Sequence, residues 1–178
     1  MSVKFERALR AAIFAASLLP CAASAHATLE KTEAAPGAFY KAVMRIPHGC
    51  SGSATVRVRV RIPDGFVGVK PMPKPGWILE TTKGKYDQTY ELYHAKLTEG
   101  VKEISWGAGH LPDEDYDEFV FIGTFASSLA PGAVVYFPTV QDCEKGAERW
   151  IEIPTADKPA NSLKSAAPAL TLTAPAGK

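Results

Sequence analysis

The chain has 178 residues, a length that suits one domain rather than two. Its 20 Lys and Arg balance 19 Asp and Glu, which gives no reason to expect nucleic acid or an anionic membrane as the main partner. With 46% hydrophobic and 22% charged residues the chain can bury a core, which excludes disorder over most of its length.

Residues 1–25 read as a cleaved secretory signal. Lys4, Arg7 and Arg10 make a basic start, the apolar run 11–20 is too short to span a bilayer, and Ala23-Ser24-Ala25 offers the small residues a signal peptidase reads. Cys21 follows Pro20 rather than the small residue usual at lipid-attachment sites, so lipidation is not the expected route. Cleavage after Ala25 makes His26 the first residue of the mature protein and leaves 17 cations against 18 anions. The expected location is the periplasm or the medium, with no membrane insertion after processing.

Short β-rich runs follow. The first covers residues 39–46. In Thr55-Val56-Arg57-Val58-Arg59-Val60-Arg61-Ile62 the aliphatic residues alternate with Arg57, Arg59 and Arg61, the pattern of a half-buried strand whose arginine face stays in water. Pro63-Asp64-Gly65 ends it with turn chemistry. Further runs cover residues 66–70, 77–82, 86–94, 101–106, 118–125, 134–140 and 149–153, and no long stretch keeps a 3.6-residue period. This predicts an all-β single domain, an immunoglobulin-like antiparallel β-sandwich over residues 26–155. Residues 156–178, rich in Ala, Pro, Ser and Thr, are expected to form a mobile tail in which Leu170-Thr171-Leu172 could dock as an edge strand.

Two cysteines remain after processing, Cys50 and Cys143, and in an oxidising compartment a disulfide is their default state. The chain-entropy model gives a loop of about 92 residues roughly 4–5 kcal/mol of stabilisation. A histidine at a mature N-terminus offers both an α-amine and an imidazole Nδ1 to one metal ion. The amine's ordinary pKa of about 7.7–8.0 lets a metal with high nitrogen affinity displace its proton near neutral pH. Cu(II) heads the divalent affinity order and favours tetragonal nitrogen and oxygen ligation, which makes it the expected occupant at His26. The plain alternative is a histidine at a frayed, solvated end.

Pro47-His48-Gly49-Cys50 places a second histidine at a strand end, two residues from a disulfide cysteine. Should the N-terminal segment pair beside residues 39–46, His48 can supply a third nitrogen and complete a histidine brace. The alternative for His48 is a turn residue bonded to backbone. His94 and His110 read as strand-end and loop residues. Asp113-Glu114-Asp115-Tyr116-Asp117-Glu118 lacks the glycine an EF-hand needs at position six and reads as a solvated acidic loop. Trp77, Trp106 and Trp150 are core candidates first. Walker, dinucleotide-binding, zinc-protease and nucleophile-elbow motifs are absent from the sequence.

Ala25-His26-Ala27-Thr28-Leu29, Arg45-Ile46-Pro47-His48-Gly49-Cys50, Val69-Lys70-Pro71 with Lys74-Pro75-Gly76-Trp77, Asp115-Tyr116-Asp117-Glu118-Phe119 and Arg149-Trp150-Ile151-Glu152 together resemble the YcnI-like domain proteins of bacterial copper operons. The resemblance spans about residues 26–154. It implies an immunoglobulin-like sandwich, export, and Cu(II) bound by the amine and imidazole of the N-terminal histidine beside a tryptophan, roles that fall on His26 and Trp150. Where some members place a glutamate ligand after the Arg-x-Pro stretch, this chain has His48-Gly49-Cys50, and His48 is read as taking its place. Two function classes follow: a copper chaperone or buffer, not an enzyme, that passes Cu(II) to membrane or secreted partners, and a copper oxygenase using the same brace. A tryptophan over the metal would hinder the open face an oxygenase needs, which favours the first.

Overall fold

The alternation that marks residues 55–62 as a strand is repeated in three dimensions by burial. Val58, Val60 and Ile62 are buried, Arg57 and Arg61 are exposed, and Arg59 is half-buried. The computed structural model describes residues 26–174; the expected leader, residues 1–25, and the final four residues lie outside them. Twelve strands follow in chain order among the described residues: β1 (Thr28–Leu29), β2 (Glu33–Ala34), β3 (Phe39–Ile46), β4 (Thr55–Arg61), β5 (Phe66–Pro71), β6 (Ile78–Leu92), β7 (Ala95–Gly107), β8 (Asp117–Phe125), β9 (Val134–Tyr136), β10 (Thr139–Cys143), β11 (Ala147–Trp150) and β12 (Ala169–Leu172). A single 3-10 turn at Ala160–Ser162 is the only helical element among them. No helix among the described residues is long and apolar enough to cross a membrane.

Two antiparallel sheets make the sandwich, one in the order β1-β3-β8-β5 and one in the order β11-β10-β4-β7-β6. Tyr40, Ala42, Met44 and Ile46 of β3 and Phe119, Phe121 and Phe125 of β8 meet Val58 and Val60 of β4 and Ile104 and Trp106 of β7 in one core. The alternation along each strand makes this possible, since every second side chain points inward. Trp106 is fully buried, and its indole N–H donates to the Met72 carbonyl at 3.1 Å. Trp77 packs edge-on against Phe119 at 4.9 Å between ring centroids. Trp106 and Trp150 are core residues, as anticipated, and Trp77 packs half-buried against the core.

Three sequence expectations need correction. The runs 77–82 and 86–94 are one long strand, β6, because no proline or tight turn separates them and its partner β7 continues alongside with shifts of register. The run 134–140 is two strands. Pro138 has no N–H to give a ladder, and there the chain leaves the pairing of β9 with β12 for that of β10 with β4. The third correction concerns the expected mobile tail over 156–178. Its described part, residues 156–174, is folded, and β12 is the middle strand, not an edge, of a third sheet in the order β2-β12-β9. β12 runs parallel to β2 and antiparallel to β9, with Leu170 and Leu172 buried and Thr171 exposed between them. Burying each leucine contributes roughly 1.5–3 kcal/mol, enough to offset the ordering of a short segment at about 1–2 kcal/mol per residue once ladder bonds are added. Composition averaged over the segment hides two residues that do the anchoring.

Candidate metal site

β1 pairs antiparallel with β3, Thr28 opposite Arg45 and Leu29 opposite Met44. The N-terminal segment therefore lies beside residues 39–46, the condition set for His48 to approach His26. The pairing covers Thr28 and Leu29, with His26 two residues before it. The His26 ring packs against the Trp150 indole at the end of β11, with centroids 4.9 Å apart and planes inclined by 54°. Its Nε2 lies 2.9 Å from the Lys164 carbonyl oxygen. A carbonyl only accepts, so Nε2 carries the hydrogen that faces it.

His48 is half-buried at the end of β3. Its Nδ1 donates to the carbonyl oxygen of Gly49, which by the same reasoning leaves Nε2 with the lone pair. His48 thus makes the backbone bond of a turn residue and keeps the opposite nitrogen for other chemistry. The loop is tightly packed: a Cβ at Gly49 would stand 2.2 Å from the Ser53 carbonyl oxygen and 2.9 Å from Asp113 Oδ1. Cys50 and Cys143 are joined by a disulfide across 93 residues, with Cα atoms 6.0 Å apart, which ties this loop to the end of β10.

A buried residue that sequence reasoning missed joins the two histidine regions. Gln141, fully buried on β10, donates from Nε2 to the His48 carbonyl at 2.6 Å and to Thr55 Oγ1 at 2.7 Å. Its Oε1 accepts a longer bond, 3.4 Å, from the Trp150 indole N–H. Thr139, Gln141 and Cys143 all point inward on β10, and a glutamine at the centre of such a buried triplet is the one signal that could have flagged it. The second omission is Glu152, just past β11. Its carboxylate accepts from the Lys164 and Ser165 backbone N–H groups at 2.9 and 2.8 Å and pairs with Lys158. The Lys158 ammonium, followed by the Ser165 N–H, holds the Glu152 carboxyl below its usual range.

The other candidates fall elsewhere in the fold. His94 sits exposed, with φ of 66°, in the turn between β6 and β7. His110 Nδ1 lies 3.6 Å from Glu144, both on the surface. Glu30 faces Arg45, which also binds Glu118. In the acidic segment, Asp117 pairs with Lys74 at 2.6 Å and Asp113 accepts from the Gly52 N–H, the arrangement of a loop brace. Of the arginine face, Arg59 pairs with Asp142. Among the described residues no three His, Cys, Asp or Glu side chains are gathered into a metal cage. A metal site centred on His26 would therefore draw on main-chain nitrogen as well as side chains.

These features define, among the described residues, a nearly all-β fold, a two-sheet sandwich with a small third sheet and one 3-10 turn, with a polar cluster where His26 meets Trp150 at the end of β11. A solved structure with TM-score 0.60 and 22% identity, covering 83% of this chain and 98% of its own, is an uncharacterized protein from Nocardia farcinica described as having an immunoglobulin-like fold. The class is thus an immunoglobulin-like sandwich domain. Residues 26–172 match the model of a domain of unknown function, DUF1775, and the chain belongs to that family, the domain that YcnI-like proteins carry. No curated protein matches the chain.

Proposed function

We propose that this is an exported Cu(II)-binding protein, a carrier or buffer, that holds the ion through the amine and Nδ1 of His26 once residues 1–25 have been removed. The observation that carries the reading is the state of the His26 ring. Its Nε2–H faces the Lys164 carbonyl and its ring packs at a tilt against Trp150, so the contact with Lys164 is made by the nitrogen opposite Nδ1, the one that can close a chelate with an adjacent α-amine. The family match begins at this same residue, where the expected cleavage would place the N-terminus. Two nitrogens from His26 and Nε2 of His48 as third ligand make a donor set that suits Cu(II), which favours tetragonal nitrogen ligation. The disulfide and Gln141 hold the His48 loop. An indole packed on the ligand ring crowds one side of it, which favours carriage to membrane or secreted acceptors over oxygen chemistry.

The test is an EPR spectrum of the protein secreted from its own leader and verified to begin at His26, with one equivalent of Cu(II). A tetragonal signal with three equatorial nitrogens supports the reading. A spectrum of loosely bound, oxygen-ligated copper refutes it.

A further inference from the structure

Between Trp150 and β12 the chain runs back over the His26 end of the sandwich. Glu152 bridges Ala166 in parallel fashion, its N–H donating to the Ser165 carbonyl at 3.0 Å and its carbonyl accepting from the Ala167 N–H at 2.9 Å. The backbone of this strap is therefore anchored on its β12 side without any help from side chains. Lys164, one residue earlier, is the exception. Its N–H is held at 2.9 Å by Glu152 Oε2, which also accepts from Ser165 N–H, and its carbonyl takes the His26 Nε2–H. The other oxygen, Oε1, faces Lys158.

We infer that Glu152 is a positioning residue for His26: by clasping the Lys164 and Ser165 amides it fixes the Lys164 carbonyl, and that carbonyl selects the Nε2–H tautomer and the ring orientation of the histidine. A carbonyl held in place favours one tautomer because only a donor can face it. An outer partner of this kind orients a ligating imidazole and raises its basicity, and its loss typically costs about 10- to 100-fold in metal affinity. The consequence for copper rests on the function proposed above, whereas the geometry of the clasp does not. Since Oε2 makes both amide contacts, one acceptor oxygen at the right reach suffices and the charge pair with Lys158 is incidental.

The test reads the His26 ring nitrogens directly by 15N NMR in metal-free secreted protein, at a pH where the imidazole is neutral, and then Cu(II) affinity. In the wild type the two ring nitrogens should differ as a protonated Nε2 and an unprotonated Nδ1 do. Glu152→Ala, and Glu152→Asp, whose carboxylate falls one methylene short, should move both signals towards a tautomer average and weaken Cu(II) binding about 10- to 100-fold. Glu152→Gln and Lys158→Ala should keep the wild-type pattern. An unchanged ring pattern in Glu152→Ala overturns the inference, and should that variant not fold, Glu152→Asp decides in the same way. If the ring pattern shifts as stated but even the wild type takes up no Cu(II), the positioning role stands and the copper function falls.

Discussion

At the scale of single residues, the proposed function requires His26 to combine two donors that only a mature N-terminus can offer together. Losing either one leaves a monodentate contact of little strength. A protein in which one extra residue precedes His26 should fold normally yet lose tight Cu(II) binding, as isothermal titration would record; equal affinity in the two forms would exclude the brace. His48 is a subtler case, because its Nδ1 is spent on the Gly49 carbonyl and only Nε2 can bind a metal. His48→Ala should spare the fold, since a half-buried loop imidazole adds little to the core, while weakening Cu(II) binding and removing one nitrogen from the EPR pattern. His48→Glu should recover part of the affinity, as a carboxylate oxygen is an acceptable equatorial ligand. Affinity and nitrogen count both unchanged in His48→Ala would reduce His48 to a turn residue.

The elements that hold these residues can be tested separately. The Cys50–Cys143 bond closes a long stretch of chain and pins the His48 loop to β10, where Gln141 makes its buried contacts. Reduction should lower stability by about 2–5 kcal/mol in urea titrations, and free thiols found by alkylation without reductant would contradict the bond. β12 offers a second measurement. Leu172 is fully buried between β2 and β9, so Leu172→Ala should cost about 2–5 kcal/mol, the usual range for a leucine cavity. A mobile tail would show no change in unfolding midpoint.

For the molecule as a whole, the sandwich carries three phenols whose burial favours their neutral form. Tyr40 on β3, whose hydroxyl donates to the Lys31 carbonyl, is pushed up to about 12 by burial and by the negative charge of Glu30. Tyr86 and Tyr90, packed together on β6, are raised as well, chiefly by burial. The folded state therefore binds these protons more tightly than the unfolded chain, in which a tyrosine titrates near pH 10. Their contribution is complete below about pH 10 and is lost as pH climbs towards 12. Denaturant midpoints should fall across that window, and Tyr40→Phe should flatten the fall; a profile identical to wild type would show that Tyr40 does not titrate on unfolding.

Strand positions were legible because period-two alternation is a local property: residues 39–46 are β3 as expected, and the run 55–62 differs from β4 by one terminal residue. The disulfide and the two candidate histidines were legible too, since the chemistry of thiols and imidazoles belongs to the residue and needs no partner to be recognised. What joins them is non-local. The parallel ladder that sets Thr171 beside Glu33, the Gln141 amide 93 residues from the His48 carbonyl it binds, and the Lys164 carbonyl 138 residues from the His26 ring exist only after the sheets have formed. Residue chemistry thus determined which side chains were candidates. Strand pairing between distant segments decided what each of them faces, because a hydrogen-bond partner is chosen by proximity in the fold and not by spacing along the chain.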